Sequence, residues 1–272
     1  MDAVTLMGIG LVMGLFGGML GIGGALVMVP AMVFFFGENQ HLYQASAMTC
    51  TFFVALAANI VHRKAKILVP AVLWQMIPGA VVGILAGVMM SNLQYFAGAN
   101  SYLLARFFGA FLVYVAAYNI WGLFHPLEEN TDNDPNAAAA YDVRGKKIIS
   151  MTIGALTGFA SGFLGIGAGT VVTPLMQFFL RFPIKRAMSN SASLILSISW
   201  IGAIYKTATL PQHDLSIVES LKIAAFVIPT GLLGGFWGGH LMHKLPKKLV
   251  CAFFIAVCLF SAWELLTVQP AG

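Results

Sequence analysis

Charge-poor apolar runs dominate the chain. They cover Ala3 to Phe36, Leu42 to Val61, Ile67 to Met90, Tyr102 to Phe124, Ile148 to Leu180, Ala187 to Tyr205, Ile217 to Met242 and Leu249 to Val268. Few-charge stretches of about 18 or more residues read as transmembrane helices, so the pattern predicts an all-α polytopic membrane protein. Two runs do not fit a single span. Ala3 to Phe36 contains 34 residues. As one helix it would be about 51 Å long, against a hydrocarbon core of about 30 Å. Ile148 to Leu180 has the same difficulty. Each of these runs carries a glycine cluster near its middle, Gly21-Ile22-Gly23-Gly24 in the first and Gly165-Ile166-Gly167-Ala168-Gly169 in the second. Glycine is where a helix breaks at low cost, so each run is predicted to be two short helices joined at a glycine-rich tip inside the membrane.

The chain also repeats itself. A shift of 144 lays Gly14 to Pro30 onto Gly158 to Pro174, and glycines 14, 18, 21 and 23, Leu20, Ile22, Val27 and Pro30 all recur. A shift of 142 pairs Ala45 to Thr49 with Ala187 to Ser191, and a shift of 151 pairs Pro78, Gly83 and Gly87 with Pro229, Gly234 and Gly238. The chain therefore divides into an N-terminal membrane repeat over residues 1–125, a linker over 126–146 and a C-terminal membrane repeat over 147–272. The linker holds Glu128, Glu129, Asp132, Asp134 and the Ala137 to Ala140 run, a solvated composition to which no chemistry is assigned.

Charge placement sets the orientation of the repeats. The basic loop of the first half, Arg63 to Lys66, follows the second run, whereas those of the second half, Arg181 to Arg186 and Lys244 to Lys248, follow the first and third. If each glycine-tipped run is a hairpin with no net crossing, each half crosses three times and the halves are inverted. The fold expected is two inverted repeats, each a broken-helix hairpin plus three transmembrane helices. Residues 63, 64, 66, 144, 146, 147, 181, 185, 186, 244, 247 and 248, all Lys or Arg, then share one face, with Arg106, Lys206 and Lys222 on or near the other. The positive-inside rule makes the crowded face and the linker cytoplasmic and puts both termini outside. The rival arrangement, eight simple spans with parallel halves, would divide the basic loops between the faces.

Composition agrees with the run pattern. Of 272 residues, 59% are apolar and 9% charged, where soluble domains carry about 25% charged residues. An ordinary water-soluble enzyme is excluded. The net charge of +5 comes without any long basic run, so no nucleic-acid partner is expected. The N-terminus has no basic region before its apolar run, which exceeds a signal peptide's core of about 7 to 15 residues and is read as retained. Cys50, Cys251 and Cys258 fall inside apolar runs at spacings that suit packing rather than disulfides or metal, and no cofactor is implied.

The repeated Gly-x-x-x-Gly-x-Leu-Gly-Ile-Gly-[Gly/Ala]-[Ala/Gly] followed by Pro30 or Pro174, with a short Ala-x-x-x-[Thr/Ser] segment after each copy, resembles the TauE/SafE family of sulfite exporters. The resemblance covers nearly the whole chain. It implies a permease of the bacterial inner membrane that moves sulfite or small organosulfur anions outward. The first copy departs slightly, with Ala25 where the second has Gly169.

The binding residues are argued physically. Two hairpins entering from opposite faces would present helix N-termini, with free N–H groups and positive dipole ends, to an anion at the midplane. Glycine lets those N–H groups approach without a Cβ in the way. Gly21, Gly23, Gly24, Gly165, Gly167 and Gly169 are the substrate-binding candidates, with hinge or pure packing as the other role open to them. Thr49, Thr51, Ser189, Asn190, Ser191 and Ser193 add neutral side-chain donors, although Thr49 and Ser191 could equally bond back to a helical carbonyl. The four-spaced glycines 14/18, 79/83/87 and 234/238 read as small-residue helix contacts. Arg106, Lys206, His62 and His240 lie near run ends, where snorkelling accounts for them; Glu264 lies deeper and is the proton-coupling candidate.

The expected activity is secondary transport, with a small sulfur-containing anion and the lipid bilayer as partners. A channel or permease for another small anion is a second reading, and a structural membrane subunit a third. A membrane-embedded enzyme would need a catalytic constellation, and none appears in the runs. Lipid-facing and partner-facing apolar residues look alike, so homo-oligomerisation stays open.

Overall fold

The computed structural model describes residues 2–64, 68–96, 100–124, 144–167, 169–241 and 247–268. Every regular element among them is helical. The helices are α1 (Ala3–Leu20), α2 (Ala25–Phe36), α3 (Gln40–Lys64), α4 (Pro70–Ser91), α5 (Ser101–Phe124), α6 (Lys147–Leu164), α7 (Gly169–Leu180), α8 (Ile184–Ala208), α9 (Ile217–Leu241) and α10 (Lys247–Thr267). By length and composition α1, α4, α6, α9 and the greater part of α5 and α8 can cross a membrane. Their outward faces are apolar, with Trp74, Trp121, Trp200 and Phe236 exposed, a surface suited to lipid rather than water. Of the expected linker, residues 126–143 lie outside the described residues, and 144–146 form one 3-10 turn that leads into α6.

Both anomalous runs break where their glycines cluster. α1 ends on Gly21 at φ 64° and α6 on Gly165 at φ 70°, left-handed backbone that only glycine adopts without strain. One part of the expectation needs correcting. The first arms are not short: α1 and α6 each have 18 residues, about 27 Å of helix and close to the thickness of a bilayer core. Only α2 and α7, with 12 residues each, fall well below a span.

The duplication is more regular than the sequence match suggests. α1, α2 and α3 begin and end 144 residues before α6, α7 and α8. The third pair therefore keeps the shift of 144, not 142. Gln44 stands against Gly165 as Met188 stands against Gly21, which is the same offset. The shorter match went astray because one small residue in five reads much like another.

Packing exchanges elements between the halves. Gly10, Gly14 and Gly18 of α1 lie against Val227, Gly231 and Gly235 of α9 in ascending order, so these helices run parallel. Gly79, Gly83 and Gly87 of α4 likewise ascend along Met151, Ala155 and Phe159 of α6. A Cβ at any of these glycines would meet partner backbone directly, and at Gly10 the Thr230 hydroxyl as well, which is how two helices come this close. Ser46 bonds Ser220 and Val54 touches Gly235, so α3 runs with α9. Asn59 bonds Ser193 while Met48 meets Gly202, so α3 and α8 are antiparallel. Val69 bonds Asn190 and Lys206 bonds Ser91, so α8 runs with α4. Thus α1, α3 and α9 point one way and α4, α6 and α8 the other, forming two three-helix bodies that each mix both halves.

Candidate functional site

The two glycine tips meet each other. Gly167 lies against Ile22 and Gly23, and Gly169 against the Gly21 carbonyl and Ile22. Near the middle of α3, the Thr51 methyl reaches both Gly23 and Gly167. Across the halves, the Ser191 hydroxyl donates to the Gly21 carbonyl at 2.9 Å. In the second hairpin, Ser161 donates to the Ile166 carbonyl at 2.6 Å. Gly23 and Gly24 hold φ of 84° and 80°, so their backbone is closed to other residue types even before contacts are counted. The tips therefore fill the space between them with each other's backbone. In this conformation they pack, which is one of the two roles open to them from sequence.

The six side-chain donors separate into three groups. Thr49 is turned away from the tips; its hydroxyl donates to the Ala45 carbonyl at 3.1 Å, and it lines an open apolar groove with Phe52, Phe53, Trp200 and Ile204. Its inclusion among the binding candidates does not match this placement. Asn190, Ser191 and Ser193 are all engaged, and of these Ser191 bonds a tip. Asn190 donates to the Arg186 carbonyl and accepts from the Val69 amide, and Ser193 donates to the Ser189 carbonyl and accepts from Asn59 at 2.6 Å. Thr51 and Ser189 remain. Both are buried, and neither hydroxyl has a hydrogen-bond partner among the described residues.

A third orphan belongs with these two. Gln44 of α3 is completely buried against Gly165, and neither atom of its amide is partnered. A buried polar group without a partner costs roughly 1–3 kcal/mol, and these three lie on α3 and α8, the helices that touch the tips through Gln44, Thr51 and Met188. Gln44 was legible in principle as a polar residue within an apolar run, but it sits close enough to the run's start to pass as a boundary residue. The helix N-termini add backbone donors, since Gly24 precedes α2 and supplies no side-chain cap.

Lys206 also departs from its expected role. It is 1% exposed rather than snorkelling, with its ammonium held by His41, Ser91 and Asn92. Arg106 does lie exposed, stacked over Tyr102 at 4.8 Å. Glu264 sits half-buried on α10, which packs against α5 and α2.

The model of the family described as sulfite exporter TauE/SafE matches residues 6–265. The chain belongs to the TauE/SafE family. Members of the TauE/SafE family are membrane transporters, and this chain is accordingly a multi-pass membrane protein. Similar curated proteins include the probable membrane transporter protein MamO of Paramagnetospirillum magneticum, 24% identical over 98% of this chain and 45% of its own length. The chain thus spans about half of that relative. The probable membrane transporter protein YunE of Bacillus subtilis is 23% identical over 98% of both chains. A probable membrane transporter protein of Xylella fastidiosa is 27% identical over 91% of this chain and 90% of its own. No solved structure matches.

Proposed function

We propose that the protein is a secondary transporter that carries sulfite or a small organosulfur anion outward across the inner membrane, binding it at the interlocked glycine tips. The observation that carries this reading is the set of orphaned polar side chains, Thr51 and Gln44 against the tips and Ser189 on α8 next to Met188, which touches Gly21. Such an anion offers three oxygens to neutral donors and to the N–H groups at the starts of α2 and α7. Neutral donors hold a weakly hydrated anion while still letting it leave. Binding would require the tips to part, with Gly21, Gly23, Gly24, Gly165, Gly167 and Gly169 as both hinge and contact surface.

The halves are taken to be inverted repeats, 1–125 and 147–272, joined by a cytoplasmic linker over 126–146. Helix direction supports this independently of charge. The end of α3, the start of α6, the start of α8 and the end of α9 fall at one end of the molecule, and the four basic clusters adjoin those ends. That end is the cytoplasmic one, and both termini lie outside.

The test is uptake of labelled sulfite into liposomes holding the purified protein, with thiosulfate and a small sulfonate as competitors and with or without a pH gradient. Saturable, competed flux is the expected result. Flux that rises linearly with concentration would make the protein a channel, and no flux for any of the three anions would remove sulfur anions from the reading.

A further inference from the structure

One end of the molecule is closed by a polar network that the tips do not use. Lys206, in the last turn of α8, donates to His41 Nδ1 at 3.0 Å, Ser91 Oγ at 2.8 Å and Asn92 Oδ1 at 2.8 Å. Its three N–H donors meet three acceptors, and all three are neutral. On the other side of the ring, His41 Nε2 lies 2.9 Å from the Phe96 carbonyl, so the proton is on Nε2 and the Nδ1 lone pair faces the ammonium. The rings of His41 and His213 stack with centroids 3.9 Å apart and an interplanar angle of 15°. Asn92 donates onward to Thr209 at 2.8 Å. The network joins α3 of one three-helix body to α4 and α8 of the other, together with the turns at 94–96 and 210–213. It lies where α3 begins and α4 and α8 end, the outer face in the orientation proposed above.

We propose that this cluster is a proton-binding site that latches the outer end of the molecule: with both histidines neutral it ties the two bodies together, and a proton taken up by either ring releases them. A proton on His41 would occupy Nδ1, remove the acceptor that Lys206 uses and leave two cations at the present 3.0 Å contact. A proton on His213 would set a second cation beside the Lys206 charge. His213 lies in the turn outside the spans, where burial, and then the Lys206 charge, depress its pKa below the ordinary 6.5, partly offset by Asp214. The sign follows. Released, the ring returns toward 6.5 and binds protons more readily than when latched, so the latch is favoured above that pH and is progressively lost as pH falls below it. Beyond the partial offset by Asp214, no carboxylate among the described residues bonds Lys206, His41 or His213. Asp214 and Glu219 are exposed, and Glu38 accepts from Ser101 of α5 at 3.0 Å.

The directional part of this inference rests on the transport reading, but its test does not need a substrate. Spin labels would be placed at Leu93→Cys, beyond α4, and Val218→Cys, on α9, both exposed and on different bodies, in a chain with Cys50, Cys251 and Cys258 replaced by alanine. Inter-label distances would be compared in lipid nanodiscs at about pH 8 and about pH 5, on either side of the ordinary histidine range. A new population several ångströms longer is expected in acid. The double variant His41→Gln with His213→Phe keeps a donor for Phe96, an acceptor for Lys206 and a planar ring at 213, and has no imidazole to titrate; it should show the short distance at both pH values. Hydrogen exchange of residues 205–214 in the unsubstituted chain, corrected for intrinsic pH dependence, should lose at least about tenfold of its protection in acid. Identical distances at both pH values, or an acid response that persists in the double variant, would overturn the proposal while leaving anion transport untouched.

Discussion

Thr51 is where binding and stability can be told apart. Its methyl packs against both tips while its hydroxyl is buried and unpaired. Thr51→Val keeps the shape and removes the orphan, so folding stability should hold or rise by about 1 kcal/mol. Transport should nevertheless fall about tenfold or more if, as proposed, this donor serves the ligand. A thermal midpoint measured beside flux checks both signs, and unchanged flux would remove Thr51 from the site. The sequence could not separate Thr51 from Thr49. The two are 200° apart on a helix, but in a bilayer both core and lipid faces are apolar, so nothing in the pattern fixes the rotation of α3. The tip glycines were legible because they explained a length that fitted neither one span nor two. Lys206 was not, since burial and snorkelling at a helix end differ only in what packs over the side chain.

At the level of helices, the glycine ladders decide how closely α1 meets α9 and α4 meets α6. Gly14 and Gly8 lie on one helix and test this against each other. A Cβ at Gly14 would collide with the backbone of Gly231, Gly234 and Gly235, whereas nothing lies within 4 Å of the Cβ position at Gly8. Gly14→Ala should therefore cost about 1–3 kcal/mol through overpacking. Gly8→Ala should gain up to about 1 kcal/mol from helix propensity alone. Thermal denaturation in detergent reads the pair, and equal effects would mean that the α1–α9 contact does not limit stability. Four-residue glycine spacing made these contacts visible in the sequence, yet not their partners. That α1 chooses α9 and α4 chooses α6 depends on the exchange of elements between halves, which no single segment encodes.

The exchange has a mechanical consequence for the whole molecule. With α1, α3 and α9 in one body and α4, α6 and α8 in the other, their shared boundary is the α3–α8 pair and the tips. Opening the tips then amounts to moving one body against the other along α3 and α8. In the half of α8 nearer its start, Asn59 of α3 is held to Ser193 of α8 at 2.6 Å, and one turn earlier Asn190 holds the entry to α4. Cysteines at 59 and 193, joined by a short thiol-specific cross-linker, would fix the bodies there without replacing any tip residue. Flux should stop on cross-linking and return on reduction, with each single variant transporting. A cross-linked pair that still transports at the native rate would mean that the bodies do not part along α3 and α8. The glycine tips would then have to open by local unwinding, at the four left-handed positions Gly21, Gly23, Gly24 and Gly165 where the backbone is already free to turn.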